Sequence, residues 1–508
     1  MVPVAAILGY CLAAIFVFAL YTIIYQYTYW KRRKMLHLES VPIIGNNYPI
    51  LFGIDSFPMH AQKMYKKFSG ARYYGCFDFR KPVVIIKDPN LIKTICVKNF
   101  DDFTDHLTFV TEEMDPIAGR NIFSLKGKRW KDLRSTLTPS YTAARMKLLF
   151  ELIDECARNF SQYFLENPEF AKSFEAKEVF TRYTNDVIAT AAFGVKVDSM
   201  KDQENEFFMH GKASTTFTSK LLILKMVLLR NFPRLMRLFG ATFLPRSSDK
   251  FFKKLINEAV TLRREKGITR PDTIQLLMQA MDKEDGVYVT MDDILGNAFI
   301  FFLAGFDTSS SLMAFIALEL AANPDIQEKL QQEVDLQLEK NDGKLTYEAL
   351  SDMKYLDMVV SETLRKYPPA PITNRVCTRD HVFSPPMQGY PEYRMEKDTV
   401  IMIPIYALHR DPQYFPEPEK FDPERFNEEN KSKIEAYTYM PFGHGPRQCI
   451  GNRFALMETK ILMVHALRKF TIKLTEKTVF PVEFIKLSFN LGAVGKFWLQ
   501  FEERKKVN

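Results

Sequence analysis

The residues best suited to chemistry in this 508-residue chain lie in the decapeptide Phe442-Gly-His-Gly-Pro-Arg-Gln-Cys449-Ile-Gly451. Glycines break the run before a single cysteine. The residues that follow, NRFALMETKILMVHALRKF, are good helix formers with apolar side chains three and four apart, so Cys449 is delivered to the start of a helix. Unpaired N–H groups and the helix dipole favour a thiolate there, which predicts a lowered pKa for Cys449. Gly445 and Gly451 permit close backbone approach. Phe442 can shield the sulfur from water, and Arg447 can pair with an anionic group of a bound cofactor. On these residues alone, Cys449 can also be read as a small buried core residue.

A haem would supply that anion through its propionates, and a cysteine thiolate is one of the groups that ligate haem iron. His444 is a rival ligand, placed in the bend rather than at the helix start. Four further segments carry spaced polar groups. Ala304-Gly-Phe-Asp-Thr308 interrupts the apolar run NAFIFFLAGFDTSSSLMAF. Glu362 and Arg365 stand three apart and share a helix face. If buried, that pair needs every donor and lone pair satisfied, so a second arginine is expected, and Pro423-Glu-Arg-Phe426 offers Arg425. Trp130 and Arg134, four apart, point an indole N–H and a guanidinium the same way.

The decapeptide and these segments, in this order, resemble the cytochrome P-450 superfamily of haem-thiolate monooxygenases across nearly the whole chain. The resemblance implies a mainly α fold with a minor β portion, a helical domain plus a small β-rich domain around a buried haem, preceded by a transmembrane helix. It implies Cys449 as the iron ligand within a cofactor loop that includes Phe442 and Gly451. Trp130, Arg134, Arg375 and Arg447 become the propionate contacts, with Ala304 and Gly305 beside the haem. Gly305 would leave room for dioxygen, and a Thr308 hydroxyl freed from ordinary helix bonding would guide protons with Asp307. The competing reading bonds Thr308 to the carbonyl one turn back. Glu362, Arg365 and Arg425 become a structural lock beneath the ligand loop. The stretches DPIAGRNIFSLKGKRWKDLRSTLTPSYTAARM and AGFDTSSS look most like arthropod microsomal members that metabolise drugs, plant toxins and insecticides. One departure is the linker, where only Pro42 and Gly45 match the family's proline-rich hinge.

The implied reaction inserts one atom of O2 into a lipophilic substrate, with haem b (iron protoporphyrin IX) as cofactor. No P-loop and no G-x-G-x-x-G motif occurs, so electrons must come from another protein. The resemblance names NADPH-cytochrome P-450 reductase, with cytochrome b5 as an optional second donor. Lys126, Lys128, Arg129, Lys131 and Arg453 would suit an acidic flavoprotein, or form a plain solvated face. Candidate pocket residues are Phe109, Ile300, Phe301, Ala304, Pro371, Ile372 and Phe489; Ile300, Ala304 and Thr308 share one helix face. Oxidation of an endogenous lipid, steroid or hormone, reductase-independent peroxide rearrangement, and a haem carrier or sensor without turnover are the alternatives.

The elements that must position these residues are legible more coarsely. From Val2 to about Tyr25 the chain is apolar and uncharged, long enough as a helix to cross a bilayer; Tyr27, Tyr29 and Trp30 follow, then Lys31-Arg-Arg-Lys34. This predicts a single-pass anchor in the endoplasmic reticulum membrane with the remaining chain on the cytoplasmic face, rather than a cleaved signal peptide. We divide the chain into an anchor over 1–30, a linker over 31–45 and one catalytic domain over 46–508. Residues 71–88 predict two strands broken at Arg80-Lys81-Pro82, and 325–340 a helix with Ile326, Leu330 and Val334 on one face. Prolines after Lys366 predict strands and loops, and the tail after the last helix is β-rich. The stretch 213–244 mixes apolar runs with basic residues, as a segment on membrane lipid or a helix pair on the core would. Six cysteines without a CxxC pair argue against a disulfide framework or zinc site, and a +8 charge spread along the chain does not indicate nucleic-acid binding.

Overall fold

The computed structural model describes residues 4–108, 110–215, 220–270, 272–282, 289–488 and 491–505. Its main helices are α1 (Val4–Arg32), α2 (Gly127–Leu137), α3 (Ala143–Glu166), α4 (Ala176–Ile188), α5 (Lys220–Asn231), α6 (Arg246–Lys266), α7 (Met291–Ala322), α8 (Pro324–Glu339), α9 (Lys354–Lys366) and α10 (Asn452–Lys469). The strands are β1 (Tyr73–Asp78), β2 (Lys81–Ile86), β3 (Phe174–Glu175), β4 (Thr373–Val376), β5 (His381–Phe383), β6 (Tyr393–Met395), β7 (Val400–Ile403), β8 (Phe470–Leu474) and β9 (Trp498–Glu503). Two compact units result: residues 1–107, 371–408 and 436–447 form one, and residues 108–370, 409–435 and 448–508 the other.

The first unit is built on a four-stranded sheet of order β1-β2-β7-β4. β1 and β2 form the hairpin expected from 71–88, with Tyr73 opposite Ile86 and Asp78 opposite Lys81. The turn falls at Phe79-Arg80, so Pro82 lies inside β2 rather than in the break. The missing proline N–H does no harm, because the carbonyl of Phe77 opposite it accepts from the Asn46 N–H and the Phe77 N–H donates to Asn46 Oδ1. β7 runs parallel to β2 and antiparallel to β4, which puts Arg375 opposite Ile401. Val83, Ile85 and Val400 pack with Tyr74 and Leu36 as the core. α1 joins this unit through Trp30, whose indole lies so close over Gly75 that a Cβ there would come within 2.7 Å of the ring.

The second unit is mainly helical, with a small sheet of order β3-β9-β8. Its centre is α7, started by a capping box in which Thr290 and Asp293 satisfy each other's backbone N–H groups. α7 and α1 are both long and apolar enough to cross a membrane, but 61% of the apolar window of α7 is buried, against 11% for α1. α7 is therefore a core helix. Gly296 lets it approach the chain at Arg120, where an added Cβ would lie 2.2 Å from the carbonyl oxygen. Phe207, Phe252 and Phe302 form an aromatic core beside it, with ring centroids 4.9 to 6.1 Å apart. The expected helix at 325–340 is α8, with Leu330 and Val334 buried and Ile326 half-buried. Strands, loops and only short helical turns (Ile405–Leu408, Pro423–Phe426 and Glu428–Lys431) follow Lys366, and long helix returns at Asn452, in keeping with the proline distribution.

Candidate active site

The decapeptide crosses from the first unit to the second between Arg447 and Gln448. In the second unit Cys449 lies just ahead of α10, which Gly451 caps. The Cys449 side chain is accessible, yet enough protein surrounds it that burial pushes the thiol above its ordinary value. The Gly451 N–H and the Arg134 guanidinium favour the thiolate, but more weakly. The lowered pKa expected from the helix start is therefore reversed, because desolvation outweighs the helix terminus. Arg134, on the face of α2 that also carries buried Trp130, is itself pushed down by burial, partly offset by Cys449 and Tyr141. Tyr141 lies beside Gly451 and packs its ring 5.7 Å from that of Phe301 on α7.

Along α7, Ala304 and Thr308 are exposed and Ile300 half-buried, while Phe299, Phe302, Phe306 and Ser309 are buried. An accessible stripe thus runs along one face of an otherwise mostly buried helix. The Thr308 hydroxyl is not freed from helix bonding: it donates to the Ala304 carbonyl at 2.6 Å, because α7 runs through this point as uninterrupted α-helix. Its lone pairs remain available as acceptors. Gly305 also meets a packing need. A Cβ there would meet Ile188 Cδ1 at 2.7 Å, so the glycine admits the end of α4. The Asp307 carboxylate pairs with Lys177 Nζ at 2.9 Å, and the same ammonium donates to the Asp307 carbonyl and Ser310 Oγ.

Glu362 and Arg365 on α9 are fully buried and joined by two parallel bonds of 2.8 Å. Arg425 comes to 3.5 Å from the same carboxylate, the Asp422 N–H donates to it at 2.9 Å, and Arg365 also donates to the His409 carbonyl. The expected three-residue cluster is assembled.

In the first unit, Arg375 is fully buried and its partners are neutral: the Asn374 carbonyl at 2.7 Å, the Thr373 hydroxyl at 3.4 Å, His106 Nδ1 at 3.4 Å and the His444 carbonyl at 3.5 Å. Its Nε has no partner among the described residues, and burial depresses its pKa. Arg447 donates to the Thr104 carbonyl at 2.8 Å and lies 3.8 Å from Asp105. Gly445 is required where it stands, because φ is +76° and a Cβ would meet the Cys96 carbonyl oxygen at 1.8 Å. Gly451 is not: a Cβ there makes ordinary contact with Tyr141 at 3.8 Å. Phe442 is half-buried, Pro371 buried and Ile372 half-buried in this unit. Phe109 and Phe489 lie outside the described residues.

The family model for cytochrome P-450 matches residues 38–495. The chain belongs to that family. It is 44% identical over 509 residues to cytochrome P-450 9e2 of Blattella germanica, covering 94% of this chain and 95% of that protein. It is 38% identical over 504 residues to cytochrome P-450 9c1 of Drosophila melanogaster, 95% of each, and 36% identical over 496 residues to cytochrome P-450 6k1 of Blattella germanica, covering 94% and 93%. This cytochrome P-450 is a monooxygenase of the insect type that these relatives represent.

Family membership implies haem, and the side chains fit it. A buried guanidinium with no carboxylate partner among the described residues, Arg375, is costly unless an anion meets it, and a propionate is such an anion. Coordination to iron would deprotonate the Cys449 thiol and overcome the burial that raises its pKa. Sequence reasoning missed Lys177, Ile188 and Tyr141, which announce themselves by no motif and act only through contacts distant in the chain.

Proposed function

We propose that this cytochrome P-450 is anchored by α1 in the endoplasmic reticulum membrane, with the remaining chain on the cytoplasmic face. It oxygenates lipophilic xenobiotics with electrons from NADPH through NADPH-cytochrome P-450 reductase, assisted where needed by cytochrome b5. The observation that carries the catalytic part is the accessible stripe of Ile300, Ala304 and Thr308 on buried α7, in the same unit as an accessible cysteine. Haem b, when bound, supplies the redox centre that activates O2. Cys449 would hold the haem iron as thiolate, and Phe442 would limit water at the sulfur. Trp130, Arg134, Arg375 and Arg447 are the candidate propionate contacts. Thr308 accepts and passes protons at its hydroxyl. Asp307, held beside Lys177, helps relay protons toward Thr308. Ile300, Phe301, Ala304, Pro371 and Ile372, with Phe109 and Phe489, are pocket candidates, and apolar walls favour lipophilic substrates. Glu362, Arg365 and Arg425 hold structure and take no part in proton transfer.

Exposed Leu221, Leu238 and Phe239 together with Arg234 and Arg237 support contact of 220–239 with lipid, while Met226 and Leu229 on α5 are buried. The basic group proposed for the reductase is smaller than its sequence suggests, since Arg129 pairs with Glu112 and Asp293 and Lys128 with Asp132. Membranes carrying the protein and reductase, given NADPH and a panel of plant toxins, insecticides, fatty acids and steroids, should yield oxygenated toxins identifiable by mass. Products from fatty acids or steroids alone would move the substrate class to an endogenous one. Retention of the far-shifted carbon monoxide absorption in Cys449→Ser would end the thiolate assignment.

A further inference from the structure

α1 has two differently surrounded parts. From Tyr10 to Tyr21 nearly every large apolar side chain is exposed, whereas Thr22, Gln26, Tyr29 and Trp30 are buried in the first unit. At about 1.5 Å per residue, Val4 to Tyr21 spans roughly 27 Å, close to the ~30 Å hydrocarbon core of a bilayer. The helix therefore leaves the hydrocarbon where its contact with protein begins. That contact is specific. Gln26 Nε2 donates to the Phe79 carbonyl at 2.7 Å, Gln26 Oε1 accepts from the Ile43 N–H at 2.6 Å, and Arg33 meets both oxygens of Glu396 at 2.8 Å. The emerging turns are a rigid post on the sheet rather than a loose tether.

Beside this post is a groove of about 510 Å³. α1 lines one side with Tyr25, Arg32 and Arg33, and the turn after β6 lines the other with Glu396, Lys397 and Asp398. Arg33 and Glu396 neutralise each other. Arg32, Lys397 and Asp398 are exposed and make no side-chain ion pair among the described residues. Two unspent cations and one carboxylate thus stand beside an aromatic ring at headgroup depth. A phosphodiester suits the cations through charge-assisted hydrogen bonds, and an ammonium suits a carboxylate next to a ring face.

We propose that this groove binds the headgroup of one zwitterionic phospholipid, its phosphate at Arg32 and Lys397 and its ammonium at Asp398 and Tyr25. The assignment rests on α1 being the membrane anchor. It explains why both signs of charge line a groove at that depth, which a purely anionic lipid or free phosphate would not use.

The test uses the full-length haem-loaded protein in detergent, with short-chain phosphatidylcholine as probe and native mass spectrometry as readout. The expected result is one phosphatidylcholine per chain, retained about tenfold better, a difference of some 1.4 kcal/mol, than by R32Q/K397Q or by Asp398→Asn. Phosphatidylglycerol and inorganic phosphate should be retained less well than phosphatidylcholine. Equal retention by the wild type and both variants, or of phosphatidylglycerol and phosphatidylcholine, overturns the proposal. Alkaline carbonate extraction of membranes separates the two readings. Wild type and variants that all stay in the membrane while lipid retention is unchanged defeat the groove alone, whereas release of the wild type defeats the anchor and the groove with it.

Discussion

Glu362 offers the sharpest energetic test. Its carboxylate is fully buried, takes two bonds of 2.8 Å from Arg365 and one of 2.9 Å from the Asp422 N–H, and faces Arg425 at 3.5 Å. Glu362→Ala leaves the Arg365 guanidinium, itself fully buried, with only the carbonyls of His409 and Lys420. Stranding a buried charge costs about 3–5 kcal/mol, a large share of the ~5–15 kcal/mol by which a folded protein is stable. The expected outcome is a lowered denaturant midpoint for the haem-loaded protein, followed by far-ultraviolet circular dichroism. E362L/R365L strands neither member of the pair, and Arg425, only partly buried, can turn to water. The double variant should therefore recover at least about half of the single-variant loss. A single-variant loss below about 1 kcal/mol, or a double variant as unstable as Glu362→Ala, would refute the reasoning.

Gly445→Ala should abolish haem-loaded protein, because its Cβ meets a backbone carbonyl and φ is positive; Gly451→Ala should keep its haem and lose under about 1 kcal/mol, and equal behaviour of the two contradicts the geometry. Lys177→Met removes the cation beside Asp307 and should lower product formed per NADPH consumed by on the order of tenfold or more, with Lys177→Arg restoring part of it; unchanged coupling removes the pair from proton handling. His409 is held down to about 3 from 6.5, chiefly by burial and then by Arg365. Between those values the unfolded chain binds the extra proton, so stability is full above pH 6.5 and falls toward pH 3 by up to ~1.4 kcal/mol per pH unit. His409→Gln should flatten that part of the stability curve, and an unaltered slope would show that other groups produce it.

Much of the fold was legible because its signals are local. The aromatic and β-branched run around β1 and β2, the apolar spacing in α8, the prolines after Lys366 and the glycine-broken loop before α10 all act within a few residues. Even there, Pro82 fell inside a strand, since Asn46 relieved Phe77 of the bond a proline cannot make. The Glu362 cluster was readable for a related reason: burying an acid and an arginine on one helix face demands a further donor, and few segments could supply it.

Cys449 at a helix start, Thr308 in an apolar helix and the charged pair on α9 were determined by the sequence alone, since residue type and spacing along a helix suffice to state them. Tertiary structure decided the rest. Burial around Cys449 overrode the helix terminus, Ile188 claimed the space at Gly305, and Lys177 took the Asp307 carboxylate from 130 residues away. Desolvation, steric fit and ion pairing depend on which atoms meet in space, and one-dimensional spacing does not specify contacts between helices so far apart in the chain.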